Sequence, residues 1–216
     1  RIVVEADSNG SLRGYVAAPE VDLPLVAGEP DIVGAIGQAG LLTVVRDLGL
    51  PELAEGAVPL ATSDIGGDLA YFLEQSDQVA TAVEIGVTLN EDGSVAAAGG
   101  ILIQPLPPYE AGAVERLKER LQEMPPVSAL LAEGQKPEAI LDETFRGLKH
   151  SMLAKYPVRF QCNCSLERTR EALVSLGREE LEAILANEGE AVVTCHYCRS
   201  EYVFSAAELE AMIAAL

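Results

Sequence analysis

The chain has 216 residues, 49% of them hydrophobic, which is enough apolar material for one substantial core and a smaller second unit. Its formal net charge of −19 argues against a phosphate-binding surface, and so against a nucleic-acid role. No run of eighteen or more apolar residues occurs and no secretory h-region opens the chain, so the expectation is a cytoplasmic protein without a membrane-spanning helix.

The chain opens at Arg1, directly on the strand-like run Ile2-Val3-Val4, and reads as continuing from an upstream segment. Ile2 to Ala6 and Leu12 to Ala18 flank Asp7-Ser8-Asn9-Gly10-Ser11, a hairpin signal. A short helix is predicted over Asp31 to Gly37 and a strand over Leu41 to Val45. A helix from Ser63 to Gln75 has Ser63 as its expected N-cap and Leu69, Phe72 and Leu73 on one face. Val79 to Leu89 and Val95 to Ile103 flank Asn90-Glu91-Asp92-Gly93, a second hairpin. Hairpins with interspersed helices predict an α+β fold, not a doubly wound parallel sheet. Gly99-Gly100 inside a strand pattern points to a bulge or close backbone packing. Gly34-x-x-Gly37-x-x-Gly40 follows Pro24 and Pro30, not a clear strand, and is not a dinucleotide fingerprint.

Pro105, Pro107 and Pro108 end the sheet. Helical segments follow at Glu110 to Met124, with Val114, Leu117 and Leu121 at helical spacing, at Val127 to Glu133, and at Pro137 to Leu148. None of them can bury its apolar stripe alone, so they must lie on another surface. Charge divides the chain at the same place. Residues 1–109 hold three basic and sixteen acidic side chains, 110–158 seven and eight, and 159–216 five and ten. The predicted organisation is an α+β domain over 1–109, a docking helical linker over 110–158 and a small unit over 159–216.

In that last unit a strand, Val158 to Gln161, leads into Cys162. Ser165 caps a helix that ends at Leu176 before Gly177, and a second helix covers Arg178 to Asn187. Ala191 to Thr194 and Glu201 to Phe204 are strands, and Ser205 with Glu208 forms a capping box for a final helix.

All four cysteines lie here, as Cys162-x-Cys164, 30 intervening residues, and Cys195-x-x-Cys198. Two tight pairs without a targeting signal read as metal or redox chemistry, not as structural disulfides. Four thiolates suit one tetrahedral Zn²⁺. Residues two apart on a regular strand point to opposite faces, so Cys162 and Cys164 reach one ion only if the chain turns, which Asn163 favours. A core this small supplies about 3–5 kcal/mol, whereas a structural zinc site contributes roughly 10–16 kcal/mol. The unit is therefore expected to fold with the ion and to lose its fold without it. Both cysteine pairs are close enough in sequence for local disulfides, and oxidation of both would remove every ligand. This pattern leaves two readings open, a redox switch and a permanent structural zinc ribbon. His196 is expected to be an exposed imidazole, since four thiolates complete the tetrahedron, and His150 is isolated in the linker. Arg168 and Arg170 either act on the nearby thiols or pair with Glu167 and Glu171 on the helix surface.

A zinc deaminase would need His-x-Glu and Pro-Cys-x-x-Cys, and Thr194 precedes Cys195. A thiol oxidoreductase would place Cys-x-x-Cys at a helix N-terminus, whereas a strand follows here. No enzyme activity is expected.

The run Phe160-x-Cys162-x-Cys164-Ser165-x-Glu167-Arg168, then Leu173-x-x-Leu176-Gly177-x-Glu179-Glu180-Leu181, Cys195-x-x-Cys198 and Tyr202-x-Phe204 resembles the redox-regulated heat-shock chaperones of the thirty-three-kilodalton class, bacterial holdases. Weaker matches are Asp68 with Tyr71-Phe72, Ser76-x-Gln78, Ala98-Gly99-Gly100 with Gln104, and Pro125-Pro126-Val127. The resemblance implies an α+β domain, a metastable linker and a zinc domain in which Cys162, Cys164, Cys195 and Cys198 hold one Zn²⁺ in the reduced, inactive state. It implies that oxidation pairs Cys162 with Cys164 and Cys195 with Cys198, releases zinc and unfolds the linker region. The activated form would dimerise and hold unfolded client proteins without ATP, in the cytoplasm. The family also carries an N-terminal segment that this sequence lacks, so the sheet of the first domain is expected to be incomplete.

Overall fold

Short antiparallel strand pairs with helices laid against them make up the protein, in the expected α+β manner. The computed structural model describes every residue except 25 and 27–29. These residues form two compact units, Val21–Leu153 and a second that joins Arg1–Glu20 to Ala154–Leu216.

Val21–Leu153 begins with helix α1 (Ile32–Ile36) and the hairpin β3 (Leu41–Arg46) and β4 (Ala54–Pro59). Helix α2 (Ile65–Gln75) follows and buries Phe72 and Leu73 with Val58 of β4. Its N-cap is Asp64, whose carboxylate accepts from Gly67 N at 2.8 Å, and not Ser63. Ser63 has φ 58° and donates its hydroxyl to the Gly37 carbonyl at 2.6 Å, so it fastens the preceding loop. Asp68, in the first turn, is buried and accepts from Ala61 N and Thr62 N at 2.7 and 2.8 Å, which satisfies its charge.

The hairpin β5 (Ala82–Leu89) and β6 (Val95–Ile103) carries helices α3 (Ala113–Glu123) and α4 (Val127–Ala132), and α5 (Pro137–Thr144) packs on both helices. Val114, Leu117 and Leu121 of α3, Val127 and Leu130 of α4, and Ile140 of α5 share a core with Ala82, Ile101 and Ile103. The stripes expected to need another surface have found this one. Helix α4 lies so close to the sheet that a Cβ at Gly86 would stand 2.6 Å from Ser128 Oγ, and one at Gly99 would collide with Leu131 Cδ1. At Gly100 a Cβ would stand 2.5 Å from the Glu84 carbonyl oxygen, so close backbone packing is the reason for that glycine. The N-cap of α4 is Pro126, which has no side-chain acceptor, and Glu84 Oε1 of β5 accepts from Val127 N at 2.8 Å in its place.

The other unit has its own core: Leu173 of α6 (Leu166–Val174), Leu181 of α7 (Arg178–Glu188), Ala191 of β8 (Ala191–Thr194), Phe204 of β9 (Glu201–Phe204), and Leu209 and Met212 of α8 (Ala206–Ala215). Ser165 caps α6 by accepting from Arg168 N, and the capping box of Ser205 and Glu208 is present. Strands β8 and β9 pair antiparallel. The hairpin β1 (Ile2–Ala6) and β2 (Ser11–Val16) belongs to this unit because β2 also pairs, in parallel, with β7 (Arg159–Phe160). Residues 149–158 have no regular secondary structure, and Leu153 and Tyr156 are 94% and 79% exposed.

Candidate metal centre

Two segments deliver the four cysteines. β7 ends at Phe160, so Cys162 and Cys164 sit on irregular backbone, where the alternation of a strand no longer separates them. Arg168 helps to fix this segment by donating to the Asn163 carbonyl, between the two cysteines, at 3.1 Å. It does not pair with Glu167 or Glu171. Arg170 instead reaches Glu208 at 3.5 Å and lies over the Phe204 ring. Cys195 and Cys198 sit in the turn between β8 and β9. There Cys195 N donates to the Ser200 carbonyl and Arg199 N to the Cys195 carbonyl, both at 2.9 Å, with Arg199 at φ 61°.

The four sulfurs lie within 4.8 Å of one another. Their close contacts run between the pairs, with Cys162 Sγ 3.6 Å from Cys195 Sγ and Cys164 Sγ 3.3 Å from Cys198 Sγ. Thiolates bound at about 2.3 Å to a tetrahedral zinc are about 3.8 Å apart, so this sulfur cluster is close to the size such an ion requires.

Electrostatics point the same way. The Ser200 hydroxyl, 3.2 Å from Cys198 Sγ, and the Ser200 N–H favour the Cys198 thiolate and lower its pKa to about 6. At Cys164 the Tyr202 hydroxyl donates at 3.1 Å and favours the thiolate, but the Cys198 sulfur, burial and the other two sulfurs outweigh it and push the thiol up to about 12. One thiolate forms easily and its charge resists the next. Four thiolates at this spacing need a cation among them, and four soft donors with no carboxylate fit zinc.

Around the sulfurs stands a set of side chains that has no local signal in the sequence. Arg13 Nη1 of β2 is 3.9 Å from Cys162 Sγ, and its guanidinium lies 4.1 Å over the Tyr197 ring. Tyr197 donates its hydroxyl to Glu5 of β1, which also pairs with Arg13 Nη2 at 2.6 Å. His196 is exposed and stacks 5.4 Å from Tyr15. His150 lies in the other unit, where its ring nitrogens face Asp142 and the Leu148 carbonyl.

A mixed α+β scaffold with a four-cysteine centre able to hold a metal ion is the class that this geometry defines. The model of the Hsp33 protein family matches residues 1–205. The 33 kDa chaperonin of Geobacter sulfurreducens is 47% identical over 210 residues, spanning 97% of this chain and 70% of that protein. The 33 kDa chaperonin of Geobacillus kaustophilus is 41% identical, over 97% of this chain and 71% of that protein. The crystal structure of the 33 kDa chaperonin, a heat shock protein 33 homologue, from Thermotoga maritima superposes with a TM-score of 0.90 at 37% identity, covering 100% of this chain and 73% of that one. The chain belongs to the Hsp33 family of chaperones.

Proposed function

We propose that this chain is a redox-regulated, ATP-independent holdase. Cys162, Cys164, Cys195 and Cys198 hold one Zn²⁺ in the reduced, inactive protein, and formation of the disulfides Cys162–Cys164 and Cys195–Cys198 activates it. The observation that carries this reading is the convergence of all four sulfurs within 4.8 Å in a unit whose core has only six buried hydrophobic residues. When bound, the ion would neutralise the four thiolates and tie the segment after β7 to the turn between β8 and β9.

Each disulfide forms one S–S bond as two thiolates give up two electrons to an oxidant such as peroxide, which takes up two protons from the solvent and leaves as two molecules of water. Both together leave no thiolate donor. Two local disulfides close only short loops and constrain the unfolded chain little, so they do not replace roughly 10–16 kcal/mol of metal binding. The C-terminal unit then loses its fold, the linker 110–158 gives up its docking, and the stripes of α3 and α4 join the exposed Leu153 and Tyr156 in holding unfolding clients. The activated form dimerises. These events belong to a cytoplasmic stress response, with no nucleic acid or membrane involved. Among the described residues no helix is long and apolar enough to cross a membrane.

The test is light scattering of a heat-denatured client protein with this chain reduced and zinc-loaded, then oxidised. Suppression of aggregation only after oxidation supports the reading. Equal protection in both states identifies a constitutive binding module with a structural zinc ribbon.

A further inference from the structure

The hairpin β1–β2 is poorly held by apolar burial. Among its side chains only Ser11 is buried, while Val4 is 71% exposed and Ile2 and Val16 are each 46% exposed. A two-stranded hairpin is at best marginally stable alone. Something other than a core must fix it, and the contacts that do so run to both arms of the cysteine centre.

The first arm is β7. Arg159 N donates to the Gly10 carbonyl and Gln161 N to the Leu12 carbonyl, each at 2.9 Å, and Ser11 Oγ reaches Gln161 Oε1 at 3.1 Å. Gly10 has φ 85°, and a Cβ there would collide with the Pro157 carbonyl, so the approach of this segment requires glycine. The residue after Gln161 is Cys162. The second arm is the Cys195–Cys198 turn. Tyr197, between the two cysteines, offers its ring to Arg13 and its hydroxyl to Glu5, 192 positions away in sequence, and meets Tyr15 edge-on at 5.1 Å. Arg13 closes the circle: its guanidinium contacts Cys162 Sγ, the Tyr197 face and Glu5 together.

We infer that Arg13 and Tyr197 are positioning residues of the cysteine centre, forming a latch that clamps the β1–β2 hairpin to both cysteine pairs and makes its docking depend on the state of that centre. The inference rests on the zinc reading proposed above. Only a turn held at both cysteines presents Tyr197 to Arg13, so loss of that turn removes one of the two arms that hold the hairpin. The coupling is reciprocal: whatever factor zinc removal adds to hairpin opening, loss of the latch takes from zinc affinity. Arg is required and not merely a cation, because one planar fork must serve a ring face, a carboxylate and a sulfur at once.

The experiment uses the full chain under reducing conditions and reads two quantities, amide hydrogen exchange of residues 2–16 and zinc affinity by competition with a chromogenic chelator. In the wild-type chain, chelation should speed exchange across the hairpin by roughly tenfold or more. Arg13→Ala should weaken zinc binding by a comparable factor, on the order of tenfold. Tyr197→Phe, which keeps the ring and loses the bond to Glu5, should fall between, and Arg13→Lys should restore only part of the loss. A wild-type chain that binds one equivalent of zinc but shows the same hairpin exchange with and without it overturns the latch and leaves the zinc reading standing. A wild-type chain that retains no zinc overturns both. The wild-type measurement decides the matter even if a variant fails to fold.

Discussion

At the scale of single residues, Cys164 is the sulfur with most to lose. It touches Cys198 at 3.3 Å and accepts from Tyr202 at 3.1 Å. Cys164→Ser replaces a soft thiolate by a hydroxyl that stays protonated, and it should lower zinc affinity by well over tenfold, the scale seen even for ligand-supporting groups. Competition against a chelator of known affinity measures it. Tyr202→Phe should cost less, because it removes one hydrogen bond and no ligand.

His150 gives a pH-dependent contact elsewhere. Its Nδ1 faces the Leu148 carbonyl at 3.0 Å and its Nε2 faces Asp142 at 2.8 Å, so only the imidazolium donates to both. These two acceptors, the carbonyl first, raise its pKa above the ordinary value. The sign follows: the contribution is fully present below the unfolded value, about 6.5, and is lost as pH rises through the higher folded value. With only two histidines in the chain, the NMR titration is readily assigned. Asp142→Asn should bring the His150 midpoint down, and an unmoved midpoint would remove the contact from the account.

At the scale of elements, the decisive interface is α4 on the β5–β6 hairpin. Gly86 and Gly99 admit the helix, and Glu84 caps it. Gly99→Val puts a branched side chain where Leu131 Cδ1 now lies, and overpacking of this kind costs about 1–3 kcal/mol. The variant should undock α4 and give partial client protection without oxidation, measured by light scattering in the reduced state. Full inactivity of a folded Gly99→Val chain would separate α4 docking from regulation.

Elements with local signals were readable from the sequence. Asn9-Gly10 and Asp92-Gly93 gave the hairpins, Ser165 and the Ser205–Glu208 box gave the helix starts, and the heptad-like spacing of Val114, Leu117 and Leu121 gave the buried face of α3. Strand β4 has no signal in the sequence because Ala-Glu-Gly-Ala-Val-Pro has little β-branched alternation; pairing with β3 makes it a strand. Ser63 and Asp64 are both good caps in the sequence, and the contact of Ser63 with Gly37, 26 positions away, leaves the cap of α2 to Asp64. The four cysteines are legible because two close pairs of a residue type that can bind metal carry a local pattern. Arg13, Glu5 and Tyr15 are not, since the contacts that bring them to Cys162, Tyr197 and His196 join opposite ends of the chain.

For the molecule as a whole, the outcome of oxidation depends on which sulfurs join. In the assembled centre the shortest sulfur contacts cross between the pairs. A Cys162–Cys195 or Cys164–Cys198 bridge would close a loop of some thirty residues, worth roughly 3–4 kcal/mol, and would help to retain the unit. Local bridges would not. Peptide mapping after peroxide treatment should therefore find Cys162–Cys164 and Cys195–Cys198 in the active protein, and cross-paired disulfides in an active, unfolded chain would contradict the mechanism.

The most direct measurement strips the metal without touching the thiols. A chelator is added to the reduced, zinc-loaded chain, and far-ultraviolet circular dichroism is followed together with limited proteolysis. The account expects α6, α7 and α8 to melt, cleavage to appear between Cys162 and Phe204, and one equivalent of zinc to reverse both. A C-terminal unit that stays helical and protease-resistant with no metal bound would contradict it.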